Sequence, residues 1–190
     1  MYRDLTHGSI TKGLLLFALP MIAGNLLQQL YNIADTLIVG QALGRNALAA
    51  VGSAYTLMVF LTSIFLGLSM GAGALFSICL GRGDKKALRA AVAHAFALIG
   101  AVTLVLNLSV YLLADPILRF LQIPHELYSS MRDYLLIIFG GLAATFLYNF
   151  FACLLRAVGN SVIPLIFLAI SALLNIGLDL WFVVGLNRGV

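Results

Sequence analysis

The chain has 190 residues, 62% of them hydrophobic and 9% charged, with a net charge of +4 and a mean hydropathy of +1.06. Soluble domains carry about 25% charged residues, so this composition excludes a soluble globular protein. The basic excess is scattered over short polar connections rather than gathered into a face or a run, which excludes nucleic-acid binding.

Five apolar runs exceed the roughly 20 residues that a helix needs to cross a bilayer. They predict an all-α integral membrane protein, a single unit over 1–190, with transmembrane helices at 13–41, 48–80, 87–114, 127–155 and 162–185. The first begins like a signal-peptide core, Leu14 to Gly24 behind Arg3 and Lys12, but its apolar pattern continues to Leu43 and makes a span instead. A short loop is expected at Gln41–Asn46, and a charged, glycine-broken turn at Gly81–Lys86. Asp115–Pro116 opens a longer connection that ends at Ile123–Glu126, with an amphipathic turn over Ile117–Leu121. Arg156–Ser161 closes the fourth helix, and Asn187–Val190 end the chain.

Basic residues orient the spans. With the N-terminus cytoplasmic, seven lie inside (Arg3, Lys12, Arg82, Lys85, Lys86, Arg89, Arg156) and four outside (Arg45, Arg119, Arg132, Arg188). The chain is expected in the cell (inner) membrane. Cys79 and Cys153 match no metal-ligand spacing and read as small apolar fillers.

Two polar stripes interrupt the apolar helices. On the first, Asn25, Gln28, Asn32 and Asp35 fall within about 80° of one another at 100° per residue, flanked by Gln29 and Thr36. On the fifth, Ser171, Asn175 and Asp179 recur at every fourth residue. A carboxylate at membrane depth costs about 2.5–3.5 kcal/mol on insertion scales, which a purely adhesive role does not repay. Asp35 lies ~33 Å along its helix and Asp179 ~25 Å along its own, so both acids fall in the outer half of the membrane. They read as an ion or proton site, and therefore as a transporter; whether they touch stays open.

Other residues carry less. Tyr134 reaches a similar depth and is either a site neighbour or an interfacial tyrosine. Pro20 interrupts the first helix as a candidate hinge, whereas Pro164 sits harmlessly in a first turn. Gly67, Gly71 and Gly73 read as a close-packing surface, His94 as a satisfied or cavity-facing histidine, and Asp133 as a solvated neighbour of Arg132. Gly81–Asp84 spells the GxGD of intramembrane aspartyl proteases, but here in a polar turn, so no enzyme is expected.

These residues resemble the N-terminal lobe of the multidrug and toxic compound extrusion (MATE) family, in its bacterial branch. The resemblance is carried by Pro20, by Gln28–Gly40 with Asp35, by Leu43–Gly52, by the Gly81–Lys86 turn, and by Arg156–Gly159, Pro164, Asn175–Asp179, Gly185 and Gly189. It implies export of small organic cations in exchange for Na+ or H+, without a cofactor. It further implies that Asp35, Asn175 and Asp179 line the cation site, with Tyr134, Gln28 and Asn32 as neighbours and Pro20 where the first helix bends. Family members have twelve helices in two six-helix lobes. Five spans are part of one lobe, so the chain is expected to be a fragment lacking the sixth helix and the second lobe. Two alternatives stay open: a lipid-linked sugar flippase of the same superfamily, which uses basic cavity residues, and a non-transporting membrane subunit whose acids only pair helices.

Overall fold

A computed structural model describes the backbone of residues 9–120 and 125–185; side chains of 39–51, 53–54 and a few others, Tyr134 among them, fall outside that description. The expected connection Ile123–Glu126 lies partly outside it, and the termini, with Arg3, Arg188 and Gly189, wholly so.

The structure has the five expected apolar spans, Ile10–Ile38, Tyr55–Gly81, Lys85–Arg119, Met131–Ala157 and Val162–Phe182. They are carried by α1 (Ile10–Gly81), α2 (Lys85–Phe120), α3 (His125–Gly140), α4 (Leu142–Ala157) and α5 (Val162–Asp179), the last running into a π-helical turn, Leu180–Gly185. A straight α1 would hold Gly24 and Thr62 ~57 Å apart, yet both line one cavity. The chain therefore reverses between the first two spans.

Three boundaries differ from expectation. Gln41–Asn46 is helical rather than a loop, because Ala, Leu, Gln and Arg favour the helix and Gly44 is the only breaker. The third helix runs through Asp115–Pro116 to Phe120 rather than stopping before them. There Asp115 accepts from the Tyr128 hydroxyl at 3.0 Å and from Arg132 Nε at 3.1 Å, which ties the segment to α3. Arg132 thus has Asp115 as its carboxylate partner. The fourth span, expected as one helix, breaks between Gly140 and Leu142, with Gly141 N bonded to Ile138 O in a tightened turn.

The break falls in the middle of an apolar span, and in a bilayer carbonyls freed there would find no water. The third span supplies the donors: Asn107 Nδ2 bonds Phe139 O at 2.6 Å, and the Tyr111 hydroxyl bonds Leu136 O at 2.9 Å. Gly140 leaves room for that hydroxyl, which would lie 3.3 Å from a Cβ there.

Spans two, three and four form the core. Leu61, Phe65, Val110, Leu118, Met131, Leu135, Phe139 and Leu142 fill one half, and Phe76, Ile99, Phe146 and Phe150 the other, with Phe76 and Phe150 edge to face at 6.0 Å. Gly73 packs on Cys153, but a Cβ placed on Gly67 or Gly71 would meet no neighbouring element within 4 Å among the described residues. The expected small-residue surface is therefore a single contact. The first span meets the fifth where Leu165 and Leu168 close on Gly24, and leaves Leu15, Leu19, Ile22, Leu26, Leu30, Ile33 and Leu37 exposed on its outside.

Candidate functional site

The turn Gly81–Lys86 is structural: Gly83 takes φ 71°, and Asp84 Oδ1 accepts from Ala87 N at 2.9 Å, capping the third span. His94 Nδ1 lies 2.7 Å from Ala90 O, and both cysteines are free and buried. No cluster of three metal-ligating side chains occurs among the described residues.

The polar stripe of the first span divides between two places. Asn25 and Gln28 line a cavity of about 640 Å³ between spans one, two, four and five. Its polar wall continues with Tyr31, Thr62, Ser63, Thr145, Tyr148, Asn149 and Ser171; Pro20, Met21, Val59, Leu66, Leu165 and Leu168 make the apolar side. Arg156 and Ser161 line the end where the fourth span turns into the fifth. Pro20 is at this chamber, and the first helix continues through it.

Asp35 lies 15 residues beyond Pro20, ~22 Å along the helix, and does not line the chamber. It meets Asp179 instead. The two carboxyls stand within hydrogen-bonding reach of each other; Asp179 Oδ2, an oxygen of that pair, and Asn175 Oδ1 beside it are buried without a hydrogen-bond donor among the described residues. Helical spacing explains the convergence: Asn175 and Asp179 share a face of α5, and the π turn begins directly after Asp179. At 4 Å and an effective dielectric of about 20, two carboxylates repel by about 4 kcal/mol, so the pair wants a cation or a shared proton. An all-oxygen set of carboxylates and an amide suits hard cations and protons rather than soft metals.

Asn32 takes no part in either place; its Nδ2 reaches Gln29 Oε1 at 3.4 Å. The side chain of Tyr134 lies outside the described residues. Two tyrosines that the sequence reading passed over, Tyr31 and Tyr148, line the chamber. Tyr31 lies within electrostatic reach of Asp35 and Tyr55, and Tyr148 within reach of Tyr31 on one side and Arg156 on the other. The three-residue step from Gln28 to Tyr31 places both on the polar face, a signal that the apolar weighting of tyrosine hides.

Known proteins are similar to this chain over almost its whole length. A probable multidrug resistance protein of Bacillus subtilis, YpnP, is 31% identical over 98% of this chain and 42% of its own length. The probable multidrug resistance protein NorM of Thermotoga maritima is 29% identical over 93% of this chain and 38% of its own. A multidrug resistance MATE transporter of the MOP superfamily, solved in an outward-facing conformation, superposes with a TM-score of 0.86 at 26% identity, over 96% of this chain and 40% of that one. The chain thus spans about 40% of the length of the relatives it matches. The MatE family model matches residues 20–181, and the chain belongs to the MatE family of membrane transporters.

Proposed function

We propose that this chain forms the ion-coupling lobe of a multidrug efflux transporter of the cell membrane, N-terminus cytoplasmic, in which Asp35, Asn175 and Asp179 bind Na+ or H+. The observation that carries the reading is the approach of two acids 144 residues apart in sequence (179 minus 35), with Asp179 Oδ2 and the neighbouring Asn175 Oδ1 buried and without a donor among the described residues. A structural pair would need its acceptors satisfied, since each buried unpartnered oxygen costs about 1–3 kcal/mol. A bound cation satisfies them and cancels the repulsion between the carboxylates.

The chamber would hold the organic cation. Its wall offers amides and hydroxyls for orientation and the rings of Tyr31 and Tyr148 for cation–π attraction. Ion entry from the outer side would neutralise Asp35 and Asp179, and Tyr31 would pass that change to the chamber. Pro20, which lacks a backbone donor within the helix, is where the first span would bend to expel the ligand. A second lobe, supplied by the rest of a relative-length protein, would complete the path.

Trp181, two residues beyond Asp179 and stacked on Phe182 at 5.4 Å, is the only tryptophan. Its fluorescence in lipid nanodiscs, titrated with Na+ at fixed pH and with pH at fixed Na+, tests the ion site. A saturable response is expected, lost in Asp35→Asn and Asp179→Asn. A response that persists in both variants, or is absent from the wild type, refutes the proposed site.

A further inference from the structure

Basic residues are spread thinly along the chain except at the turn between the second and third spans. From Arg82 to Arg89, four of eight residues are basic (Arg82, Lys85, Lys86, Arg89) against one acid, Asp84, a local excess of three positive charges (four less one). All four basic side chains are exposed. Asp84 is held in the turn, accepting from Ala87 N at 2.9 Å, and the one ion pair among the described residues joins Arg132 to Asp115 at the other end of the third span. The charges stand at a membrane boundary, since the second span ends at Gly81 and the third begins at Lys85.

The third span sorts its residues by side. Leu88, Val92 and Ala95 pack inward on the core of Phe76, Ile99, Phe146 and Phe150. At 100° per residue, Lys85, Lys86 and Arg89 lie within about 100° of one another on another side. Deeper in the span that side carries four exposed alanines, Ala90, Ala93, Ala97 and Ala101, all within about 60° of Lys86. Phe96, 40% exposed, and Leu98, 60% exposed, stand at its two edges, so the alanine strip is recessed between larger side chains. It runs ~22 Å from Lys86 to Ala101, enough to cross the ~15 Å of half a hydrocarbon core.

Charge above a recessed apolar strip fits an amphiphile with an anionic head. We propose that this turn and strip hold an anionic phospholipid, its phosphate among Lys85, Lys86 and Arg89 and one acyl chain along the alanines. With the N-terminus cytoplasmic, the lipid belongs to the inner leaflet. Clusters of four or more basic residues beside a membrane helix attract acidic lipids, and Arg89 adds planar donors that match a phosphate. A soluble phosphate would use the charges and leave the strip empty. The lipid site shares no residue with the acid pair or the chamber lining.

Native mass spectrometry of the whole chain in detergent, titrated with dioleoyl phosphatidylglycerol or dioleoyl phosphatidylcholine, tests the assignment. The first phosphatidylglycerol should bind about 10-fold tighter than phosphatidylcholine, and the preference should shrink as salt rises. Lys85→Gln, Lys86→Gln and Arg89→Gln together should bring the two lipids within about 2-fold, whereas Arg119→Gln, at the far end of the same helix, should change nothing. Should the triple variant fail to fold, Lys86→Gln alone should lower the preference by about 2-fold. Ala93→Leu with Ala97→Leu fills the strip and should weaken phosphatidylglycerol about 3-fold with every charge in place. Millimolar sn-glycerol 1-phosphate should not displace the lipid. Equal affinities in the wild type, or a preference that survives loss of the basic side chains, overturn the proposal. So does displacement by glycerol phosphate, which marks a free-phosphate site, or an alanine pair whose filling has no effect, which marks a bare charged surface.

Discussion

Asn107 shows how a single residue compensates for a broken helix. Its amide reaches the Phe139 carbonyl from 32 positions away, whereas most polar side chains here bond only their own helix, as Thr103 does with Ile99. Interhelical bonds in membranes average about 0.6 kcal/mol, but this one is short and serves a carbonyl beside a helix break. Asn107→Leu, nearly isosteric, should therefore cost about 1–2 kcal/mol in SDS unfolding titrations. Tyr111→Phe should cost less, about 0.5 kcal/mol, because Tyr111 is 44% exposed. A larger loss for Tyr111 than for Asn107 would reverse the assignment. Asp35 and Asp179 were legible as residues because a carboxylate in an apolar run is costly wherever the helix packs. Arg156 was legible as a basic residue closing the fourth helix and as part of a family motif; its place on the chamber wall is a property of the turn that follows it.

At the scale of the element, the fourth span shows where sequence patterns mislead. Gly140 and Gly141 lie in a run that passes every hydropathy test, and glycine is common in membrane helices, so nothing marked a break. The two should respond differently to alanine. A Cβ at Gly141 would stand 3.1 Å from the Ile138 carbonyl, a backbone atom that cannot move aside, so Gly141→Ala should destabilise. At Gly140 the obstacle is the Tyr111 hydroxyl at 3.3 Å, the far end of a flexible side chain. There the helix gain of about 0.5–1 kcal/mol and the lost hydrogen bond should nearly cancel. In a Tyr111→Phe background the obstacle is gone, and Gly140→Ala should stabilise by about 0.5–1 kcal/mol in the same titration. The Gly81–Lys86 turn was legible because a charged break with glycines has few other solutions; Gly83 and Asp84 close it as a left-handed glycine and a helix cap.

Across the whole molecule, the contrast among three glycines of the second span marks what the bundle covers. Gly73 abuts Cys153, side chain and backbone carbonyl both at 3.6 Å from a Cβ, while Gly67 and Gly71 face open space among the described residues. Gly73→Leu should overpack that contact and cost about 1–3 kcal/mol or more, whereas Gly67→Leu and Gly71→Leu should leave the chain's thermal midpoint nearly unchanged. A scan showing three equal losses would mean that the open face is covered in the folded chain.

The sequence by itself determined the class, the number of spans and the residues too costly to be idle, because the bilayer fixes the length of a span and penalises every polar group in it independently of packing. The resemblance carried by Pro20, Asp35, Asn175 and Asp179 identified the family on the same residues. Only the tertiary structure decided that Asp35 approaches Asp179, that Asn32 stands apart, and that the chamber wall carries Arg156, Tyr31 and Tyr148 but no acid among the described residues. A stripe records angle around one helix; which neighbour it faces, and at what depth, is settled by how the helices reverse and pack.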